Sequence, residues 1–79
     1  MSNVKKIIEK FNLSKFGHTF EECKKVLEYI GFVETSSKGS HHKFIKQGLN
    51  RPFILAKLRP IDPAAINEIL DFVNKEYKK

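Results

Sequence analysis

Two changes of period divide this chain. Val4, Ile7, Ile8 and Phe11 recur at the i, i+3, i+4, i+7 spacing of one helical face, with Lys5, Lys6, Glu9 and Lys10 around the rest. So short a helix is marginal in water and needs a surface to pack against. The period lapses over residues 12–18, which read as a connector. Phe20, Cys23, Val26, Leu27 and Ile30 then form a second apolar stripe. Thr19 stands just before it, with Glu22 three residues on, giving a Thr-x-x-Glu capping box. Gly31 falls where a left-handed residue closes a helix. Cys23 lies on the stripe and reads as a small core residue.

Beyond Gly31 the period drops toward two. Residues 32–36 predict a strand, 37–40 a turn, 41–47 a second strand and 48–52 an interruption. Residues 53–58 predict a third strand, mostly apolar. Short connections make the three an antiparallel meander. Asp62 then suits an N-cap and Pro63 the first helical position, where its missing N–H costs nothing. Ile66, Ile69, Leu70, Val73 and Tyr77 mark the buried face of this last helix, and Lys75, Lys78 and Lys79 suit its C-terminal dipole.

A three-stranded sheet needs one face covered. The Thr19 and Pro63 helices can cover it together and leave the other face open. The expected fold is an α+β two-layer sandwich of the double-stranded-RNA-binding-domain type, α-β-β-β-α, plus an extra N-terminal helix. Residues 1–18 are the helical extension and 19–79 the domain. The first helix has two placements open to it: over the sheet face, or against a second subunit as a route to oligomers.

Composition narrows the partners. The 79 residues carry 15 Lys/Arg against nine Asp/Glu, a net charge of +6, which favours an anionic partner. With seven Phe and 41% hydrophobic residues the chain suits a folded domain with a modest core. One cysteine excludes an internal disulfide, and no Cys/His spacing resembles a zinc site. Neither a signal peptide nor an apolar run of roughly 18 residues is visible, so a cytoplasmic protein without membrane contact is expected.

The densest chemistry lies in Lys38-Gly39-Ser40-His41-His42-Lys43-Phe44. Histidine exchanges protons near neutral pH, and lysines beside it attract a polyanion such as RNA. Side chains alternate along a strand. If Phe44 enters the core, His41 and Lys43 share the open face with Ile45, while His42 starts on the helix-covered side near the strand end.

These residues carry a family resemblance. Residues 19–70 resemble the HicA toxins of bacterial toxin–antitoxin pairs: a capped helix ending in Gly31-Phe32, a strand, the turn Lys38-Gly39-Ser40-His41, a strand with Phe44, a third strand and a closing helix. The resemblance implies a fold similar to the double-stranded-RNA-binding domain, activity as an mRNA-cleaving ribonuclease, and inhibition by a HicB-like antitoxin that covers the histidine. The family's functional histidine follows the Gly-Ser pair and so maps to His41. Gly39 and Ser40 map to the turn, and His42 to a position where another histidine is often found. Two segments depart from the pattern. Ala56-Lys57-Leu58 stands where a Val-Pro-His segment is usual, and Ala64-Ala65-Ile66 where Gly-Thr-Leu usually opens the last helix.

The expected chemistry is metal-independent cleavage through the RNA 2′-OH, with no cofactor. His41 acts as general base or acid, with His42 as a secondary proton-transfer group. Lys38 and Lys43 bind and polarise the phosphate, and Ser40 with the Gly39 amide orients it. His18 is expected at a helix entry, away from the site. Two other uses fit the same basic surface: a non-catalytic RNA- or DNA-binding module, or a protein-interaction subunit that meets an acidic partner.

Overall fold

The computed structural model describes residues 2–77, with the side chains of Ser2 and Tyr77 excepted. The side chain of Tyr77, and Lys78 and Lys79, expected at the end of the last helix, lie outside the described residues. The elements are α1 (Ser2–Leu13), α2 (Phe20–Tyr29), β1 (Val33–Lys38), β2 (His41–Ile45), β3 (Phe53–Ala56) and α3 (Pro63–Tyr77).

Local chemistry sets the helix ends. At α2 the Glu22 amide donates to Thr19 Oγ1 at 3.2 Å, and the Thr19 amide donates to Glu22 Oε1 at 3.1 Å. This reciprocal box satisfies donors that a helix start leaves orphaned. At the other end the Phe32 amide reaches Leu27 O at 2.9 Å and the Gly31 amide reaches Glu28 O at 3.1 Å. That pair is a Schellman motif, and it requires the left-handed φ of +107° at Gly31. At α3 the Asp62 carboxylate accepts the Ala64 amide at 2.9 Å, with Pro63 first in the helix.

The sheet is antiparallel in the order β1-β2-β3. Phe44, Phe53 and Leu55 bury their side chains on one face, joined by Phe32 just before β1. Phe20 of α2 meets the Phe44 ring at 6.4 Å, and Phe72 of α3 meets Phe53 at 5.6 Å and Phe32 at 5.0 Å. Each buried phenyl contributes about 1.5–3 kcal/mol of transfer free energy. The two-layer α+β arrangement is therefore as expected, with α2 and α3 on one face.

α1 packs within its own chain, against α2 and α3. Ile7 and Phe11 enter the common core, with Val4 and Ile8 packed beside them, and Lys10 binds Glu22 at 2.5 Å. The far face of the sheet stays uncovered, with His41, Lys43, Ile45 and Ile54 all exposed along it. His18 pins the connector. Its ring is buried, its Nε2 pairs with Ser14 O at 2.6 Å, and it lies against Phe11 with centroids 4.5 Å apart. Its carbonyl accepts the Ile61 amide at 3.0 Å, tying the entry to α2 to the approach to α3. Cys23 is fully buried, and burial, reinforced by the nearby Glu22 carboxylate, pushes its thiol up to about 12. It fills core space.

The strands differ from expectation at their ends. β1 begins at Val33 and runs on to Lys38, so the turn expected over 37–40 shrinks to Gly39-Ser40. β2 stops at Ile45, where Lys46 turns to Glu76 of α3 at 2.7 Å and its carbonyl accepts the Leu49 amide. β3 stops at Ala56; one further bond, Lys57 N to Ser40 O at 2.6 Å, closes the ladder.

Candidate functional site

Gly39 and Ser40 form a two-residue hairpin loop between the paired residues Lys38 and His41. Gly39 has φ +60° and Ser40 a negative φ, the pattern of a type II′ turn. An added Cβ at Gly39 would meet nothing within 4 Å. The turn's backbone, rather than a close neighbour, calls for glycine here.

A bulge decides what faces the same way as His41. Pairing runs Glu34 with Phe44, then Ser36 with Lys43, Ser37 with His42 and Lys38 with His41, so Thr35 is the extra residue. In an unbroken strand Lys38 would share the face of Glu34, on the helix side. The inserted residue flips everything after it, and Lys38 emerges on the open face beside His41. The result is a shallow depression of about 180 Å³ lined by Ser36, Lys38, His41, His42, Lys43 and Ile54. His41 and Lys43 are exposed along β2, as alternation predicts, and Ile45 is exposed beyond them. Ser40 is also exposed.

His42 belongs to the lining but is held from behind. Its ring lies against Phe20 with centroids 4.5 Å apart, and its side chain is 14% exposed. Its Nδ1 stands 2.5 Å from Glu34 Oε2. An ionised carboxylate only accepts, so Nδ1 carries the proton and donates. Glu34 also takes Lys24 Nζ of α2 at 3.0 Å. The hydrogen bond from His42, then that from Lys24, holds the Glu34 carboxyl below its ordinary value. Lys57 Nζ sits 5.3 Å from the Phe20 ring centre. The two adjacent histidines therefore have different surroundings: one faces solvent beside lysines, the other is clamped between a carboxylate and an aromatic ring.

Glu34 is the residue that sequence reasoning missed. It is the diagonal neighbour of His42 on the helix-side face, across from Phe44. An acidic residue two positions into the preceding strand was the available signal. Opposite His41 on β3 stands Ala56. His18 is buried at the connector, so His41 is the one histidine set on the open face. Among the described residues no three His, Cys, Asp or Glu side chains are grouped to hold a metal ion, and no helix is long and apolar enough to cross a membrane.

Fold and site together define a small basic α+β domain that presents a histidine between two lysines on an uncovered sheet face. Residues 20–71, about two thirds of the chain, match the family model described as HicA toxin of bacterial toxin–antitoxin. The chain belongs to the HicA toxin family, the toxin side of a toxin–antitoxin system, and that membership implies a cognate antitoxin partner. The match runs from the first residue of α2 into α3; α1 precedes it. Neither the comparison with curated proteins nor that with solved structures finds a match.

Proposed function

We propose that the chain is an endoribonuclease that cleaves mRNA without a metal ion, with His41 as its proton-transfer group. The observation that carries this reading is the placement of exposed His41 between Lys38 and Lys43 on a free sheet face. Lys38 and Lys43 hold the scissile phosphate and offset the charge that builds on the phosphorane. Ser40 and the Gly39 amide, at the tip of the turn, orient it. The RNA 2′-OH attacks the adjacent phosphorus and its proton passes to a base. The bond to the 5′-oxygen breaks, and that oxygen takes a proton. The products are a 2′,3′-cyclic phosphate and a 5′-hydroxyl.

His41 serves one of the two transfers, and water serves the other. General acid–base catalysis by one side chain typically supplies ~10²–10⁴-fold, so turnover is slow. In a toxin, slow cumulative cleavage of messages is enough. The HicB-like antitoxin covers this same face, where Val33, Ile45 and Ile54 expose apolar surface around the cations.

One observation favours a second reading, an RNA-binding module without catalysis: across the sheet from His41 stands Ala56 and not a second histidine. A ribonuclease assay on wild type and His41→Ala, with and without EDTA, separates the two. Catalysis by His41 predicts cleavage that persists in EDTA, disappears in the variant and is blocked by a 2′-deoxy substitution at the cut. Intact RNA bound by wild type selects the second reading.

A further inference from the structure

A groove of about 530 Å³ between the β2–β3 loop and α3 is larger than the His41 depression. Leu49, Pro52 and Phe72 give it apolar walls, and Arg51 and Lys75 stand at it as cations. Both cations are exposed, and neither has an ion-pair partner among the described residues. Glu68 is its one acidic residue. Ile54 is shared: it lines this groove and also the His41 depression, and it pairs with Lys43 across the sheet. The two hollows are therefore neighbours along one surface. Arg51 lies three residues before Ile54, so their Cα atoms are at most about 11 Å apart, within the reach of one to two nucleotides.

We infer that this groove binds the single-stranded RNA that continues past the cleavage site. This rests on the ribonuclease reading and names the substrate's form. Its volume falls in the usual range of small-molecule pockets, about 300–1,000 Å³, which suits an unstacked nucleotide and is too small for a duplex. Single-strand sites that read no sequence combine a cationic groove for the backbone with an aromatic platform for the base face. Arg51 and Lys75 hold phosphates, and the base rests on the wall formed by Phe72 with Leu49 and Pro52. Because both cations lie away from His41, they act on binding and leave the proton transfer alone.

The test separates binding from cutting. A single-stranded RNA of about 12 nucleotides, within the usual span of such sites, is bound to the intact His41→Ala protein and read by fluorescence anisotropy over a series of salt concentrations. Adding Arg51→Ala with Lys75→Gln weakens binding by about tenfold or more and lowers the slope of log affinity against log salt by about 1.4, the value for two phosphate contacts on a single strand. Glu68→Gln tightens binding. In the protein that retains His41, the same double substitution raises KM and leaves kcat. Unchanged affinity and slope in the double variant overturn the groove; if wild type still cleaves, the ribonuclease reading survives that failure. Groove-dependent binding without cleavage by wild type supports the groove and removes the catalytic reading. RNA that neither binds nor is cut removes both.

Discussion

The two faces of the sheet are built from the same three strands and follow opposite rules. On the helix side, Phe44, Phe53 and Leu55 meet Phe20 and Phe72, and the polar side chains His42, Glu34 and Lys24, like Lys46 and Glu76, are paired with one another. On the open side, His41, Lys38 and Lys43 have no carboxylate partner among the described residues, and aliphatic side chains stand exposed between them. The difference teaches what each face is for. A face that satisfies its own polar groups stabilises the fold. A face that leaves cations and a histidine without carboxylate partners among the described residues, at a net charge of +6, is the one on which the proposed contact with an anion rests.

The contrast can be broken most forcefully from the helix side. Phe44→Ala removes a fully buried ring and is expected to cost about 3–5 kcal/mol. The whole stability of a domain this size is on the order of 4–12 kcal/mol, so urea denaturation should show a large fall in midpoint. Ile54→Ala, on the same sheet but half exposed, should cost well under half as much. Equal losses would mean that the open face is also core.

A smaller effect sharpens the comparison at the hairpin. Gly39→Ala places a Cβ on a residue with φ +60°, at a cost of roughly 1–2 kcal/mol. No neighbour is touched, so the loss should appear as backbone strain, with a lower melting temperature and Lys38 and His41 displaced from one another. A variant as stable as wild type would show that the turn tolerates another conformation.

The smallest effect concerns acid. The hydrogen bonds from His42 and Lys24 hold the Glu34 carboxyl below 4.5. A depressed carboxyl contributes stability that is present above its unfolded value and lost as pH falls through its folded one. The melting-temperature gap between wild type and Glu34→Gln should therefore be full at pH 6 and shrink as pH is lowered through and below the ordinary glutamate range. A gap constant across that range would remove Glu34 from the clamp on His42.

How much of this was legible follows from particular residues. Thr19, Glu22, Gly31, Asp62 and Pro63 act through their own backbones, and each cap stands where its sequence signal put it. Alternation likewise separated His41 from His42, because Phe44 is apolar enough to fix the face. The bulge at Thr35 was not legible. Ser36-Ser37-Lys38 has the composition of a turn, and only pairing to β2 holds it in the sheet. For the same reason the arrival of Lys38 on the open face, and the meeting of Glu34 with His42, needed the register. Ile61, buried between Pro60 and Asp62, has no periodic neighbours to reveal it. The spacing of Val4, Ile7, Ile8 and Phe11 marked α1 as amphipathic without saying where it docks; it lies on α2 and α3 and not over the open sheet face.

The central claim is that adjacent histidines have been divided between the two faces, one for chemistry and one for structure. His41→Ala and His42→Ala, measured side by side for RNA cleavage and for thermal unfolding, test it most directly. The account predicts that His41→Ala loses cleavage by at least ~10²-fold while its melting temperature stays within the small range of exposed substitutions. His42→Ala leaves Glu34 without its ring partner, melts lower, and still cleaves RNA in proportion to the folded protein. Cleavage that survives His41→Ala and vanishes in a fully folded His42→Ala protein would contradict it.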